Sequence, residues 1–192
     1  MNESARIIDT EVLSNKRYLL KEVTVEYIGT NGEKHTTNRE IYERGDAASA
    51  VLYNQATGTV ILLNQFRLAT FLNGNPSGML KEVCAGMLDG ETPETCVRRE
   101  ITEETGYKVA EVIPVGDIYV SPAGFTERIY LFIAPYTPAM KTTTGGGLQE
   151  EQEFIDIEEV SFEETLQMIA RGEIRDAKTM VLLYHLRVHG LM

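Results

Sequence analysis

The stretch GMLDGETPETCVRREITEETGY, residues 86–107, decides the fold and the chemistry that we expect. Successive residues of an α-helix turn by about 100° around its axis. Glu100, Glu103 and Glu104 would therefore share one face of a helix that ends at Gly106. Like charges at this spacing destabilise a helix that only faces solvent. Two interpretations remain open: a solvated acidic face, or a face that binds a hard divalent cation such as Mg²⁺ through its carboxylates.

The second half of this stretch, REITEETGY at residues 99–107, resembles the signature box of the Nudix hydrolases. That box consists of glycine, five residues, glutamate, seven residues and then Arg-Glu-aliphatic-x-Glu-Glu-x-Gly-aliphatic. Glu91 lies eight residues before Arg99, as the box requires, whereas only four residues separate Gly86 from Glu91. The loop is thus one residue shorter than in the family pattern. The resemblance favours the metal-binding interpretation and implies Mg²⁺, with Mn²⁺ as a substitute, as the cofactor.

The composition predicts a globular enzyme rather than a nucleic-acid-binding protein. The chain has 192 residues, of which 43 % are hydrophobic, and a formal net charge of −11. Nucleic acid selects basic surfaces, so we expect no nucleic-acid partner. Neither a signal-peptide pattern nor a stretch of about 18 apolar residues occurs, so we expect a cytoplasmic protein and no membrane partner.

An N-terminal unit, residues 1–46, is predicted to be an antiparallel β-unit. Residues 19–27 alternate loosely between apolar and polar, Asn31-Gly32 is a strong hairpin turn, and residues 34–42 form the partner strand. Residues 47–192 would form the Nudix hydrolase domain. The resemblance implies that the N-terminal unit provides dimerisation and nucleotide contacts.

The remaining chain has an α+β pattern. Strands are predicted at residues 49–53, 60–66, 80–85, 111–120, 128–134 and 154–160. Thr92 and Ser161 are expected to cap two helices, the first running to Glu104, and a third helix covers residues 179–188. Residues 70–78 and 138–149 are predicted to be loops, the latter resembling a flexible linker in composition. The family resemblance implies the Nudix fold, a mixed β-sheet sandwiched between helices.

The resemblance also assigns roles to residues of the box. Glu100 and Glu104 would bind the metal with Glu103 in the same cluster, and Arg99 would pair with Glu91 and Glu103 as a structural residue. Gly86 would allow the backbone to approach a ligand closely. The residues implied to bind metal are Ala85, Glu100, Glu103, Glu104 and Glu151. Those implied to contact the substrate in this stretch are Ala85, Gly86 and Met87. Glu104 would also take part in catalysis.

The general base is expected outside the box, in the segment GGGLQEEQEF at residues 145–154. It resembles the acidic loop before a strand in family members that act on nucleoside-diphosphate sugars. Glu153 would be the base, Glu151 a metal ligand or water contact that takes part in catalysis, and Glu150 a substrate contact. A glycine hinge would bring a carboxylate onto a bound substrate. The alternative is an acidic loop that is simply solvated.

Other segments point to the substrate. Residues 121–127, SPAGFTE, resemble the turn of members acting on ADP-ribose or other nucleoside-diphosphate sugars, where Glu127 would bind sugar or ribose hydroxyls. Arg67 ends an apolar strand and resembles the arginine that those members place on a phosphate. Residues 172–179 and the N-terminal unit resemble the type that hydrolyses GDP-mannose, which implies a sugar contact for Asp176.

That type is a homodimer whose N-terminal strands are exchanged with the partner subunit. By position, the residues implied to contact nucleotide are Arg17, Asn38, Arg39 and Glu40, although Arg17 and Arg39 are equally compatible with plain surface charges. The resulting prediction is Mg²⁺-dependent hydrolysis of GDP-mannose to GMP and mannose 1-phosphate. ADP-ribose is the alternative substrate, and a Nudix-fold sensor that binds such a nucleotide without cleaving it is a further alternative. The residues alone do not decide between guanine and adenine.

Overall fold

A computed structural model describes residues 4–148, 150 and 153–192, so the predicted metal ligand Glu151 lies outside the described residues. The chain divides into two compact units. The first comprises residues 4–46 together with Tyr119–Arg128, and the second comprises Ala47–Ile118 and Ile129–Met192. The inclusion of residues 119–128 in the first unit has no counterpart in the sequence pattern.

The first unit contains the predicted N-terminal antiparallel β-unit, which is confirmed. Strands β1 (Ala5–Asn15), β2 (Leu19–Ile28) and β3 (Lys34–Glu43) form a sheet in the order β1-β2-β3. Gly32, with φ of 79°, makes the tight turn between β2 and β3 that a residue with a side chain adopts poorly. β1 is the outer strand, and four of its apolar side chains are exposed: Ile7, Ile8, Val12 and Leu13.

The second unit is built on a mixed sheet of seven strands within the described residues. The order β10-β5-β4-β9-β8 is extended by β6 beside β5 and β7 beside β4, and β4 pairs in parallel with β9 but antiparallel with β5 and β7. The strands are β4 (Ala47–Asn54), β5 (Thr59–Phe66), β6 (Met79–Glu82), β7 (Cys84–Met87), β8 (Ile113–Tyr119), β9 (Arg128–Pro135) and β10 (Ile155–Ser161).

Four α-helices occur in the described part of the chain: α1 (Leu68–Leu72), α2 (Pro93–Glu100), α3 (Phe162–Ala170) and α4 (Ala177–Val188). The predicted caps of α2 and α3 are confirmed, because Thr92 and Ser161 accept hydrogen bonds from backbone N–H groups of the first turn. None of these helices is both long enough and apolar enough to span a membrane.

Each face of the sheet carries its own hydrophobic cluster. Side chains of β4 contribute alternately to one cluster and to the other. Ala48, Ala50 and Leu52 pack on the side of α2, in a cluster that contains Val97 of that helix. The other face packs against α3 and α4, and its cluster contains Ala47, Val51, Tyr53, Phe162, Leu182 and Leu186. The predicted mixed sheet between helices is therefore confirmed.

Three element predictions outside residues 86–107 were wrong in detail. The single strand at residues 80–85 is two strands, because the N–H of Val83 donates to Thr179 Oγ1 and the chain changes pairing partner there, from β5 to β4. The predicted loop at residues 70–78 begins inside α1, which is too short to show a helical period. The last helix starts at Ala177 rather than at residue 179, because Asp176 caps it through the N–H of Thr179.

Candidate active site

The carboxylates of the box lie on α2 and on a π-helical turn, Ile101–Thr105, that continues it. The predicted α-helix to Glu104 is therefore corrected after Glu100. A π-helical turn is rare and is frequently found at functional sites. Gly106, with φ of 78°, ends the turn in the left-handed conformation that favours glycine. The rotation of about 100° per residue, from which one shared face was predicted for the three glutamates, applies only to an α-helix. It therefore does not describe the positions of Glu103 and Glu104, which lie in the wider π-helical turn.

Glu100 and Glu104 are carboxylates withdrawn from solvent, with 9 % and 3 % of their surface exposed. The N–H of Ala85 donates to Glu104 Oε2 over 3.0 Å, and the thiol of Cys84 also hydrogen-bonds this carboxylate. Burial raises the pKa of Glu104 to about 8 and that of Glu100 to about 7. The charge of Glu153 raises both pKa values further, so Glu153 lies within electrostatic reach of both groups.

Arg99 pairs with the carboxylates around it. Its Nε donates to Glu91 Oε2 over 3.0 Å, and its Nη1 lies 2.9 Å from Glu103 Oε2 and 2.8 Å from Glu100 Oε1. The predicted pairing with Glu91 and Glu103 is confirmed. One guanidinium thus orients three carboxylates, which fits a structural role for Arg99.

Gly86 brings the backbone of β7 directly against Glu100. A Cβ atom built on Gly86 would lie 1.8 Å from Glu100 Oε1, a distance that no pair of non-bonded atoms adopts. Beside it, the thiol of Cys96 lies 3.2 Å from the carbonyl oxygen of Met87 and fixes the end of β7 against α2. The structure therefore places the backbone of Ala85 against the carboxylate of Glu104, and the backbone of Gly86 against the carboxylate of Glu100.

Replacing Gly86 with alanine is expected to displace the Glu100 carboxylate and to lower kcat by about 10²-fold, the scale of a 1 Å misplacement in an active site. The measurement is steady-state hydrolysis alongside a thermal melt, so that lost activity can be separated from lost fold. Wild-type activity in a folded Gly86→Ala protein would show that the close approach to Glu100 has no role.

The three glycines at residues 145–147 dock on the end of the π-helical turn rather than forming a free linker. The N–H groups of Gly146 and Gly147 donate to the carbonyl oxygens of Glu104 and Glu103, over 2.9 and 3.2 Å. These bonds satisfy carbonyls that a helix end leaves without partners. All three glycines have positive φ, and a Cβ on Gly145 would lie 2.7 Å from the carbonyl oxygen of Glu104.

The docked glycine segment also contacts Glu153 and fixes its position. A Cβ on Gly147 would lie 2.7 Å from the Cβ of Glu153, and the N–H of Leu148 donates to Glu153 Oε2 over 3.2 Å. Glu150 is exposed. The structure thus places Glu153 within electrostatic reach of Glu100 and Glu104, whereas Glu150 has no recorded contact with them among the described residues.

Arg67 and Asp176 lie at the two ends of a row of charged side chains. Arg67 Nε donates to Glu82 Oε2 over 2.6 Å, Lys178 Nζ donates to Glu82 Oε1 over 2.8 Å, and Lys178 Nζ lies 3.0 Å from Asp176 Oδ1. Sequence reasoning missed Glu82 and Lys178. The available signal was Lys178, a charged residue in the first turn of a helix that is otherwise rich in apolar residues. The burial of its charge depends on Glu82, which is distant in sequence.

The remaining predicted residues belong to the first unit. Glu127 is buried and lies 3.3 Å from Arg44 Nη1. The guanidinium groups of Arg17 and Arg44 each lie 5.6 Å from the ring centre of Tyr18. Tyr18 in turn packs edge-on against Tyr42, and Tyr42 against Phe125. This unit therefore combines arginine side chains, aromatic faces and a buried carboxylate.

Three further predicted residues lie together on β3. Asn38 Oδ1 accepts a hydrogen bond from the Thr24 hydroxyl over 3.0 Å, Arg39 Nη1 donates to the Asn38 carbonyl over 2.7 Å, and Glu40 is exposed. Each of these side chains lies on the surface of the three-stranded sheet.

The carboxylate cluster suits a divalent cation by its chemistry. Among residues 4–148, 150 and 153–192, no three side chains of His, Cys, Asp or Glu are already arranged as a metal-binding group. In this arrangement Glu100 and Glu103 bind Arg99 instead. The cluster nevertheless offers hard oxygen donors, two of them buried, and more negative charge than Arg99 balances, which is the environment that Mg²⁺ prefers. The donor set therefore fits Mg²⁺ or Mn²⁺.

Comparison with known proteins matches both parts of the chain. Residues 43–183 match the family described as the NUDIX domain, and residues 4–42 match the family described as the GDP-mannose pyrophosphatase NudK N-terminal domain. A solved structure described as an ADP compounds hydrolase superposes with a TM-score of 0.72, covering 96 % of this chain and 93 % of the other. At 17 % identity that likeness supports the fold alone.

Curated relatives extend over the full chain. A GDP-mannose pyrophosphatase of Enterobacter sp. strain 638 is 45 % identical over 192 residues, with 100 % of both chains covered. One of Klebsiella pneumoniae subsp. pneumoniae is 44 % identical, over 100 % of this chain and 96 % of its own length. One of Salmonella typhimurium is 43 % identical, again over 100 % of both. With the box carboxylates gathered as described and matches of this extent, the chain belongs to the Nudix family.

Proposed function

We propose that the protein hydrolyses the pyrophosphate bond of a nucleoside-diphosphate sugar, with GDP-mannose as substrate and GMP and mannose 1-phosphate as products. The observation that carries this proposal is the gathering of Glu100, Glu104 and Glu153, from two separate segments of the chain, beside the backbone of Ala85 and Gly86. Support for the substrate comes from the full-length relatives named GDP-mannose pyrophosphatase and from the match of residues 4–42.

The carboxylates and the neighbouring backbone would hold the cofactor, Mg²⁺ or Mn²⁺. The groups that we propose for this are the carbonyl oxygen of Ala85 and the side chains of Glu100, Glu103, Glu104 and Glu151. When bound, the cation neutralises charge on the phosphate oxygens. Arg99 keeps Glu100 and Glu103 oriented through Nη1, which contacts both carboxylates, so that these side chains do not rely on solvent for their direction.

Glu153 is the group that we propose as the general base. A base must reach the attacking water within hydrogen-bond distance. The proposal is supported by the docking of residues 145–147 on the box and by the electrostatic reach of Glu153 to Glu100 and Glu104. The N–H of Leu148 donates to its carboxylate over 3.2 Å and so fixes the direction of the side chain.

Several residues are proposed as contacts of the substrate. Arg67 presents a guanidinium, whose planar shape matches a phosphate. The further contacts that we propose are Gly86, Met87, Glu127, Glu150 and Asp176, together with Arg17, Asn38, Arg39 and Glu40 from the N-terminal unit. Asp176 caps α4 with one carboxylate oxygen and meets Lys178 with the other, so any sugar contact would have to share those oxygens.

The experiment that tests this function compares kcat/KM for GDP-mannose, ADP-ribose and other sugar nucleotides in the presence of Mg²⁺. The proposal expects GDP-mannose to be the best substrate. A clear preference for ADP-ribose would replace the substrate, and binding of these nucleotides without turnover of any would favour the sensor. An intact set of box glutamates argues against the sensor, since a protein that only binds has no need of them.

The N-terminal unit is the part that we propose for dimerisation, in a protein that works in the cytoplasm as a homodimer with exchanged N-terminal strands. Four exposed apolar side chains of β1, and an edge of that strand that pairs with no other strand among the described residues, are features that favour pairing with another chain. In such a dimer, the nucleotide bound by the partner subunit would contact residues of this N-terminal unit.

Deleting residues 1–44 is expected to give a monomer or an aggregate with weakened nucleotide binding, because the apolar contacts of β1 are removed. Light scattering of the full chain and of the truncated chain measures this. The variant Ile7→Lys/Val12→Lys, which keeps the sheet but charges its apolar edge, should shift the full chain towards monomer. A monomeric truncation with full activity would refute the role of this unit.

A further inference from the structure

Four charged side chains form a row of alternating sign, which we call the Arg67–Asp176 row: Arg67, Glu82, Lys178 and Asp176. Its contacts are the three ion pairs given above, at 2.6, 2.8 and 3.0 Å. The row is anchored at one end, where Asp176 Oδ2 accepts the N–H and the hydroxyl of Thr179 over 2.9 and 2.6 Å and so caps α4.

The middle of the row is buried and one end is open. Glu82 and Lys178 have 5 % and 7 % of their surface exposed, whereas the Arg67 side chain is 41 % exposed. Burying a charge is costly unless it is paired, so Glu82 and Lys178 each depend on their neighbours in the row. Among the described residues, only Nε of the Arg67 guanidinium has a recorded side-chain partner. Both terminal nitrogens therefore remain available to an external anion.

Arg67 lies at the same edge of the sheet as the proposed base. It directly follows β5, and the register of β5 with β10 places Gln65 opposite Ile155, two residues after Glu153. A cavity of about 460 Å³ lies at this edge, lined in part by Phe66, Gly147 and Glu153. Arg67, which follows Phe66, and the proposed base Glu153 therefore lie at one edge of the sheet.

We propose that Glu82 and Lys178 are positioning residues that hold Arg67 in place to bind a phosphate group of the substrate. Glu82 fixes the guanidinium through Nε, which leaves Nη1 and Nη2 of a side chain that is 41 % exposed for a bidentate contact. Alone, Glu82 would also cancel the positive charge of Arg67. Lys178 balances Glu82, and the positive N-terminal end of α4, which Asp176 caps, offsets the charge of Asp176, so that one positive charge remains at Arg67.

This inference rests on the proposed function only in naming the phosphate as that of a nucleotide sugar. The competing explanation is purely structural: the Glu82–Lys178 pair would do no more than join β6 to α4. The two explanations differ in whether the effect of removing the pair depends on Arg67. A structural effect persists in a protein that lacks the arginine, whereas a positioning effect disappears.

The test measures the affinity for inorganic pyrophosphate by calorimetry in metal-free buffer, together with KM and kcat for GDP-mannose with Mg²⁺. The variants are Arg67→Ala, the pair variant Glu82→Leu/Lys178→Met, and the triple variant that combines them. Replacing a buried ion pair by apolar residues of similar volume is often tolerated, so the pair variant is expected to fold. Lys178→Met serves as a second variant, because it leaves Glu82 to cancel the charge of Arg67.

A matched control is available on the same strand. Lys81 pairs with Glu158 across β6 and β10, is partly buried, and has no contact with Arg67 among the described residues. Lys81→Met therefore removes a neighbouring ion pair without touching the Arg67–Asp176 row. It is expected to bind pyrophosphate as the wild type does.

We expect Arg67→Ala and the pair variant each to weaken pyrophosphate binding about tenfold, the loss of roughly one charge-assisted contact. KM for GDP-mannose should rise by a similar factor with a smaller change in kcat, and the triple variant should bind no more weakly than Arg67→Ala. Wild-type binding by the pair variant and by Lys178→Met would overturn the inference, and so would a tenfold loss that persists in the Arg67→Ala background.

The outcomes separate this inference from the proposed function. Should the wild type cleave no nucleotide sugar while Arg67→Ala and the pair variant both lose pyrophosphate binding, the proposed function fails and the anion site stands. Should the wild type cleave GDP-mannose while the pair variant matches it in KM and in pyrophosphate binding, the positioning role fails and the proposed function stands.

Discussion

Replacing Glu104 with glutamine is expected to lower kcat by about 10³-fold or more while the protein stays folded. The glutamine carbonyl can still accept the hydrogen bond from the Ala85 N–H, so the local structure keeps its support. What is lost is the negative charge that would hold a divalent cation. Since burial raises the pKa of Glu104 to about 8, a neutral side chain costs the metal-free protein little stability.

Glu94→Gln is the matched control for this substitution. Glu94 lies on the same helix, α2, but it is exposed and pairs with Arg98 over 3.0 Å on the outer surface. Both variants are compared by kcat across a Mg²⁺ titration and by thermal melting. The control should match the wild type, and a Glu104→Gln enzyme that works at a near wild-type rate would remove Glu104 from the metal site.

Glu153→Gln is expected to lower kcat by about 10²–10⁴-fold with little change in substrate affinity, the range that general acid–base catalysis contributes. Glutamine fills the same space and accepts the Leu148 N–H through its carbonyl, but it takes up no proton from water. The loss should therefore fall on kcat rather than on KM. The measurement is kcat and KM across pH and Mg²⁺ concentration.

Two neighbouring glutamates provide the comparison series. Glu151→Gln should raise the Mg²⁺ concentration needed for activity, if that residue is a metal ligand. Glu150→Gln should have the mildest effect, because Glu150 is exposed and makes no recorded contact with the box in the described residues. The base must lie elsewhere if Glu153→Gln keeps its kcat while Glu151→Gln or a box variant alone loses activity.

The box itself was predictable because its signals are local. Thr92 and Pro93 mark the start of α2, and Gly106 marks the end of the turn that follows it, within a span of fifteen residues. The pairing of Arg99 with Glu103 follows from i,i+4 spacing. The π-helical turn was not predictable in this way, because it differs from an α-helix only in the hydrogen bonds that the backbone makes.

The features that sequence reasoning missed depend on contacts between distant residues. The break at Val83 exists because Thr179 takes its N–H, and the burial of Lys178 exists because Glu82 faces it. In both cases α4 supplies the partner for a strand that lies nearly a hundred residues earlier. Periodicity and turn propensity carry no information about such pairs.

Incubating the purified protein with GDP-mannose and Mg²⁺, and identifying both products by chromatography, tests the central claim most directly. The account predicts GMP and mannose 1-phosphate in equal amounts, loss of turnover when a chelator removes the metal, and recovery when Mg²⁺ or Mn²⁺ is returned. Release of GDP and free mannose, or turnover that a chelator leaves unchanged, would contradict it.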